Sequence, residues 1–357
     1  MLRSRKFDFY LFLPMIFLLG FGIATVGSVS PENMVTHLFY IAASLIFFFI
    51  FFFLDLEILF PLSPVIYVSS LLFLVLPFIV GTVTRGSVRW VPLAGFTIQP
   101  SEIVKPFLAI VASWYWTKEE FSFKRLGKFV LLALPALALI FFQPDLGSTL
   151  VVLSIVIGVI FVSGIRLKHV LIIALIGLLT IPLFWFSLRD YQKMRIVHFI
   201  NPYSDPLGEG YNLIQAKISV GSGGFLGRGL GRGTQSHLAF LPEKHTDFAF
   251  ASFSEELGFL GSFLVIILYI FLYLRLLVII KSSRKRHLSL LVVGIFCGLV
   301  FQTIVNIGMN IGLIPIAGVT LPLISYGGSS LLATMISLGM IQGVFKESNE
   351  EKSLEIK

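Results

Sequence analysis

What most constrains this chain is a succession of about ten apolar stretches, near residues 8–28, 36–54, 61–81, 101–116, 128–142, 147–164, 168–187, 248–280, 288–310 and 326–345. A helix that crosses a bilayer needs roughly 20 mainly apolar residues, and most of these stretches meet that length. The surrounding composition agrees: of 357 residues, 56% are hydrophobic and only 13% charged, which excludes an ordinary soluble domain. The chain therefore reads as an all-α polytopic integral membrane protein with about ten transmembrane helices. No solenoid-type period and no long linker divide it, so residues 1–357 form one membrane domain. A large extracellular loop, 188–247, separates the seventh span from the eighth.

Charge sets the orientation. Arg3, Arg5 and Lys6 precede the first apolar run, which carries no small-residue cleavage site and is expected to stay as a span with the N-terminus in the cytoplasm. Alternation then puts Lys118, Lys124, Arg125 and Lys128, Arg166 and Lys168, and Lys281, Arg284, Lys285 and Arg286 on the same side, and returns the C-terminus there. The net charge of +8 is thus a topology signal with membrane lipids as its nearest partner, and nucleic acid is not implied. The single cysteine, Cys297, excludes an intramolecular disulfide and says nothing of the redox compartment.

Ionisable residues inside spans carry the information, because each is costly to bury unless paired or hydrated. Glu102 and Lys105, three apart in "QPSEIVK", share a helix face. Asp145 in "QPDLGS" opens a span, where it can cap amides or reach Lys105. A structural ion pair and a hydrated functional cavity explain these three equally well.

The long loop is the other concentration of chemistry. Its aromatic anchors and an amphipathic stretch over 211–220 predict that it folds on the outer surface. "GSGGFLGRGLGRG", residues 221–233, offers amides and the guanidinium groups of Arg228 and Arg232 to a phosphate or pyrophosphate, or is simply a tightly turning loop. Lys193 and Arg195, with Arg85 and Arg89, are outward cations that either invite an anion or snorkel to the headgroups beside Trp90. In "FLPEKHTDF", Asp247 reads either as the N-cap of the next span or as a general base where water meets oil, with Glu243 and His245 close by. His245 and Asp247 do not make a recognised metal spacing. Near the end, Asn306 and Asn310, Pro315 and Pro322, and the run from Ser325 through Ser329 to Ser330 interrupt apolar sequence. Irregular backbone at that depth is tolerated where it lines a hydrated cavity, so a polar cleft open to the outside is expected.

The strings "GSVRWVPL", "QPSEIVK", "QPDLGS", "YQKMRI", "NPYSDPLGEGYN", "SGGFLGRGL", "LPEKHTDFAF", "EELGFLG" and "IPIAGVTLPLISYGGSS", in this order, resemble the SEDS (shape, elongation, division and sporulation) family of bacterial membrane proteins, closer to its RodA than its FtsW branch. The resemblance covers nearly the whole chain. It implies a peptidoglycan glycosyltransferase in the bacterial inner (plasma) membrane, with an extracytoplasmic active site that polymerises lipid II for cell-wall elongation and rod shape. It implies Asp247 as the essential carboxylate, Glu243 as a second acidic position, and Glu102, Lys105 and Asp145 as polar residues of a central cavity. It further implies a class B penicillin-binding protein as partner. Arg195, Lys193, Arg228 and Arg232, with Arg89, Ser325 and Ser329, complete the expected substrate-binding set. No cofactor is called for, and assistance from a divalent cation is left open. A lipid II flippase and a non-catalytic scaffold for the crosslinking partner are the rival readings.

Overall fold

The computed structural model describes residues 7–355 except 85–86, 94–95, 118–120, 167, most positions between 173 and 189, 206–207 and 239. Asp8 starts the first helix, α1 (Phe9–Val29): its carboxylate accepts from the Tyr10 amide at 3.1 Å and from Arg275 Nε at 2.7 Å, so one buried side chain caps one span and ties it to another. Next come α2 (Met34–Phe53) and α3 (Ser63–Val80), the latter with proline in its first turn, where no amide bond is lost.

Between α3 and the next span the chain makes a small antiparallel sheet, β1 (Thr82–Thr84), β2 (Ser87–Leu93) and β3 (Phe96–Ile98). The sequence reading had no strand here, because seven residues interrupted by Pro92 give too short an alternation to read. Three helices follow: α4 (Pro100–Thr117), α5 (Phe123–Phe142) with Ser122 as its cap, and α6 (Leu146–Val162) with Asp145 as its cap. Half of the seventh expected span, 168–187, falls outside the described residues.

The long loop is folded, as its anchors predict. It contains α7 (Asp190–Ile200), α8 (Glu209–Ser222), which realises the amphipathic stretch, and the single turn α9 (Thr234–His237). The last three helices are α10 (Ala249–Ser282), α11 (Arg286–Asn310) and α12 (Gly328–Glu355). Among the described residues, seven helices are long and apolar enough to cross a membrane: α1, α2, α3, α5, α10, α11 and α12. Apolar α6 is shorter, at 17 residues, and α4 carries Glu102 and Lys105.

Burial shows which helices form the middle. The apolar window of α12 is 83% buried and that of α3 only 22%, so α12 runs through the protein interior while α3 keeps most of its surface for lipid. The principal packings are α12 on α2, α11 on α6 and α4, α3 on α4, and α1 on α10, around a core that includes Leu18, Phe48, Phe253, Leu291 and Met335. The α12–α2 contact is close enough that a Cβ on Gly339 would meet the Phe48 carbonyl at 2.4 Å.

α10 is broken at Gly258 (φ 65°, ψ −161°), a conformation open essentially to glycine alone. Before the break, Ala249 to Glu256 are all buried; after it, Phe259, Leu260, Phe263 and Ile267 are exposed on the span. The expected span 248–280 is thus two pieces with different surroundings.

Candidate functional site

A cleft of about 220 Å³ opens at the end of the bundle where α4, α10 and α12 begin. It is lined from five separate places: Tyr40 of α2, Arg89 and Trp90 of β2, Thr97, Gln99 and Glu102 from β3 into the start of α4, His245 to Asp247 before α10, and the segment from Gly318 to Ser330 that leads into α12. Polar and apolar lining surface are both present, and Asp247 is half-buried at its wall.

The irregular segment 311–327 forms the wall nearest Asp247. Its backbone groups are met by side chains from the neighbouring helices: Asn306 Nδ2 donates to the Val319 carbonyl at 2.6 Å, Gln302 Nε2 to the Thr320 carbonyl at 3.1 Å, and the Tyr269 hydroxyl to the Pro322 carbonyl. This is how non-helical backbone persists at such depth. The same segment clamps the turn that carries Asp247. Ser325 Oγ donates to the Thr246 carbonyl at 2.7 Å and the Tyr326 amide donates to the His245 carbonyl at 2.8 Å.

Asn306 and Asn310 complete that clamp from α11. Both Nδ2 groups donate to the Asp247 carbonyl, at 3.0 and 3.1 Å, and Asn310 Oδ1 accepts from the Ala251 amide at 3.0 Å. The N-cap position of α10 is Phe248, without a side-chain cap bond, and Asn310 serves the first turn. The N-cap position that the sequence offered to Asp247 thus falls one residue later, at Phe248, and a neighbouring helix supplies an acceptor for the first turn. Glu243 does not line the cleft. It sits at φ 50° with its Oε2 accepting from the Thr246 hydroxyl at 2.8 Å, so it shapes the turn.

Behind the cleft lies a dense polar layer. Asp145 is buried and accepts from Gln99 Nε2 at 2.6 Å, Ser101 Oγ at 2.8 Å and the Ser148 amide at 3.1 Å, with Arg89 Nη1 at 3.9 Å. It caps α6 as expected, but its nearest cation is Arg89 rather than Lys105. Glu102 and Lys105 form the expected pair, Nζ to Oε1 at 2.5 Å, joined by Ser148 Oγ at 3.1 Å. Glu102 also lines a small inner void of about 20 Å³ with Lys105, Gln302, Thr334 and Ser337. Ser329 Oγ accepts from the Gln99 amide at 2.9 Å, which joins the start of α12 to the strand end before α4.

Four expected cations do not line the cleft. Lys193 and Arg195 belong to α7, where Arg195 borders a small recess with His198, Phe199, Leu213 and Ile316. Arg228 and Arg232 are exposed on the glycine-rich loop, Arg228 donating to the Ser222 carbonyl at 3.2 Å and to Thr234 Oγ1 at 2.9 Å. Several amides in and just after that loop are already taken: those of Arg228, Gly229, Gly231, Gln235 and Ser236 meet oxygens of Glu255 or Glu256. Arg85 lies outside the described residues. Among the described residues, no three His, Cys, Asp or Glu side chains gather as a metal site.

Tyr40 and Tyr326, whose rings lie 6.0 Å apart, line the cleft; Tyr326 falls within the run Ser325 to Ser330 read from sequence, whereas Tyr40 falls in no motif. Aromatics abound in these spans, so no local signal sets Tyr40 apart.

Comparison with known proteins agrees on one kind of molecule. The family model FTSW_RODA_SPOVE, described as Cell cycle protein, matches residues 5–350. The chain is 38% identical over 286 residues to the peptidoglycan glycosyltransferase MrdB of Escherichia coli K12, covering 79% of this chain and 77% of that one. It is 36% identical over 355 residues to a probable peptidoglycan glycosyltransferase FtsW of Wigglesworthia glossinidia brevipalpis, covering 94% and 92%. Among solved structures it is similar to a chain of a peptidoglycan synthase complex that coordinates polymerization and crosslinking, with a TM-score of 0.85, 31% identity and coverage of 96% and 98%. The rod shape determining protein RodA of Thermus thermophilus gives a TM-score of 0.74 at 28% identity, with the same coverage.

Proposed function

Because the chain belongs to the SEDS family, the FTSW_RODA_SPOVE cell cycle proteins, on its RodA side, we propose that the outer cleft is where this peptidoglycan glycosyltransferase makes its glycosidic bond. The enzyme is a multi-pass membrane protein of cell-wall elongation. Its substrate in this reading is lipid II, as donor and as acceptor, met on the outer face of the inner membrane with both termini in the cytoplasm.

One observation carries the reading: five distant sequence segments converge on a single polar cleft with the half-buried Asp247 in its wall. At about 220 Å³ the cleft is smaller than the roughly 300–1,000 Å³ of a pocket that swallows a whole drug-sized ligand. It suits the reacting end of a substrate whose lipid tail stays in the bilayer. Asp247 acts as general base, taking the proton from the C4 hydroxyl of the acceptor's terminal N-acetylglucosamine. That oxygen attacks the anomeric carbon of the donor's N-acetylmuramic acid from the face opposite the pyrophosphate. The new C–O bond forms as the old one breaks, its electron pair leaves with undecaprenyl pyrophosphate, and the configuration inverts to β-1,4.

A pyrophosphate leaving group gathers negative charge, and a fixed cation stabilises it. Arg89, which lines the cleft beside Trp90, is the cation best placed for that work. Arg195, Lys193, Arg228 and Arg232 then serve the approach of the anionic substrate across the outer surface. Glu102, Lys105 and Asp145 hold the floor, and Ser325 and Ser329 hold the wall. The similarity to a chain of a complex that couples polymerization to crosslinking supports a crosslinking partner, a class B penicillin-binding protein, for this chain as well.

The test uses purified protein and lipid II in detergent, where no two sides exist and transport produces nothing. Asp247→Asn is expected to lower glycan polymerisation by roughly 10²–10⁴-fold, and full activity in that variant removes Asp247 from the scheme.

A further inference from the structure

Glu255 and Glu256 sit side by side on α10, 0% and 1% exposed, three and two residues before its break, and no step of the reaction uses them. A carboxylate taken out of water costs several kcal/mol unless hydrogen bonds replace its hydration. The groups that do so reveal what each is for.

Glu255 accepts from one short stretch. Its Oε1 takes the Gln235 amide at 2.8 Å and Thr234 Oγ1 at 3.3 Å, and its Oε2 takes the Ser236 amide at 3.0 Å and Ser236 Oγ at 2.9 Å. Glu256 Oε1 takes the Gly231 amide at 3.0 Å, Ser28 Oγ of α1 at 2.5 Å and faces His237 Nε2 at 2.9 Å. Their backbone carbonyls take two further loop amides, those of Arg228 at 3.0 Å and Gly229 at 2.9 Å. The glycines follow from this docking. A Cβ on Gly233 would stand 2.7 Å from Glu255 Oε2, and one on Gly227, at φ +83°, would stand 2.1 Å from the Glu256 carbonyl. The glycine-rich motif is thus an anion cradle whose anions are the chain's own.

From there the chain leads to the cleft. Lys244 Nζ donates to the Ser236 carbonyl at 2.7 Å, and Ser252 Oγ of α10 donates to the Lys244 carbonyl at 2.9 Å. Lys244 lies inside the turn from Glu243 to Asp247, whose other side is held by Ser325 and Tyr326. We propose that Glu255 and Glu256 are positioning residues: they dock residues 231–237 onto α10 and α1, and through Ser236 and Lys244 they fix the turn that presents Asp247 to the cleft. The catalytic half of this statement rests on Asp247 being the base; the docking half does not.

The two halves have separate readouts on the full-length protein in detergent. Hydrogen exchange reads docking, and lipid II polymerisation kinetics read its consequence. Glu255→Gln keeps the shape but turns one acceptor into a donor facing amides. Faster exchange is expected across 231–247 with α11 unchanged, and kcat should fall on the order of 10²-fold at near-constant KM, as for a misplaced catalytic group. Glu255→Asp, which keeps both acceptors, should recover part of kcat. Lys244→Met cuts only the second link: 231–237 stay protected, 243–247 exchange faster, and kcat falls. If Glu255→Gln yields no folded protein, Lys244→Met decides alone. Wild-type kcat in Lys244→Met, or unchanged exchange at 243–247 in either variant, overturns the proposal. Full activity in Asp247→Asn removes the base and leaves the exchange result to decide the docking.

Discussion

Two of the ways in which this protein buries carboxylates differ in what they do for the rest of the chain. In α4, Glu102 brings its own cation three residues on, and the pair closes at 2.5 Å within one turn of helix. In α10, Glu255 and Glu256 are held by amides and hydroxyls that lie about twenty residues upstream or in α1. The first arrangement is local and secures the span it sits in. The second joins segments that would otherwise move apart, and it costs the sequence a run of glycines.

The sharpest way to break that contrast is to remove the cation from the local pair. Lys105→Met leaves Glu102 buried with Ser148 as a neutral partner, and breaking a buried pair this way costs about 3–5 kcal/mol. A clearly lower Tm in detergent is expected. The double change Glu102→Gln with Lys105→Met should restore most of it, because no uncompensated charge remains. A single variant that melts with wild type would mean that water reaches Glu102 through the small void beneath the cleft.

The distributed arrangement is attacked at Gly258. An added Cβ there would meet the Gly227 amide nitrogen at 2.2 Å, and the residue would be held in a glycine-only conformation. Gly258→Ala should cost about 1–3 kcal/mol for the backbone strain, with the clash in addition, and loosen the docking of 224–231 onto α10 in hydrogen exchange. Asn310→Ala ranks next. It removes one donor from the Asp247 carbonyl and the acceptor of the Ala251 amide, a loss of about 1–3 kcal/mol. Polymerisation should fall further than Tm suggests, since both bonds fix the turn that carries Asp247.

The same contrast explains what could be read from the sequence. Spans were legible because each is an apolar run whose ends are set by nearby residues: expected 36–54 and 61–81 became Met34–Phe53 and Ser63–Val80. The Glu102–Lys105 pair was legible because its partners share one helix face. The cleft was legible as separate motifs, and the resemblance to a family placed them together; their spacing alone left Asp247 divided between cap and base. The capping duty went to Asn310, sixty-three residues away, and no local pattern announces such a partner. Glu255 and Glu256 counted only as part of the string "EELGFLG", although two adjacent carboxylates within an apolar run ask for partners. The sheet had almost none.

The smallest effect belongs to an ion cluster at the other end of the bundle, where charge meets water. Glu57 Oε1 is 2.9 Å from Lys285 Nζ and 2.9 Å from His287 Nε2, with Glu57 and Lys285 more than a third exposed. Partial burial pushes the Glu57 carboxyl up, but hydrogen bonds from Lys285 and His287 outweigh it and hold the group below the usual glutamate range. A depressed carboxyl adds stability above its unfolded pKa and loses it as pH falls through the folded one. Glu57→Gln should therefore lower stability only slightly at neutral pH, by about 0–1 kcal/mol given the exposure, and the difference from wild type should vanish in acid. Added salt should shrink it as well. A Tm gap at neutral pH as large as that of Lys105→Met would show that position in the bundle, rather than access to water, governs what an ion pair is worth here.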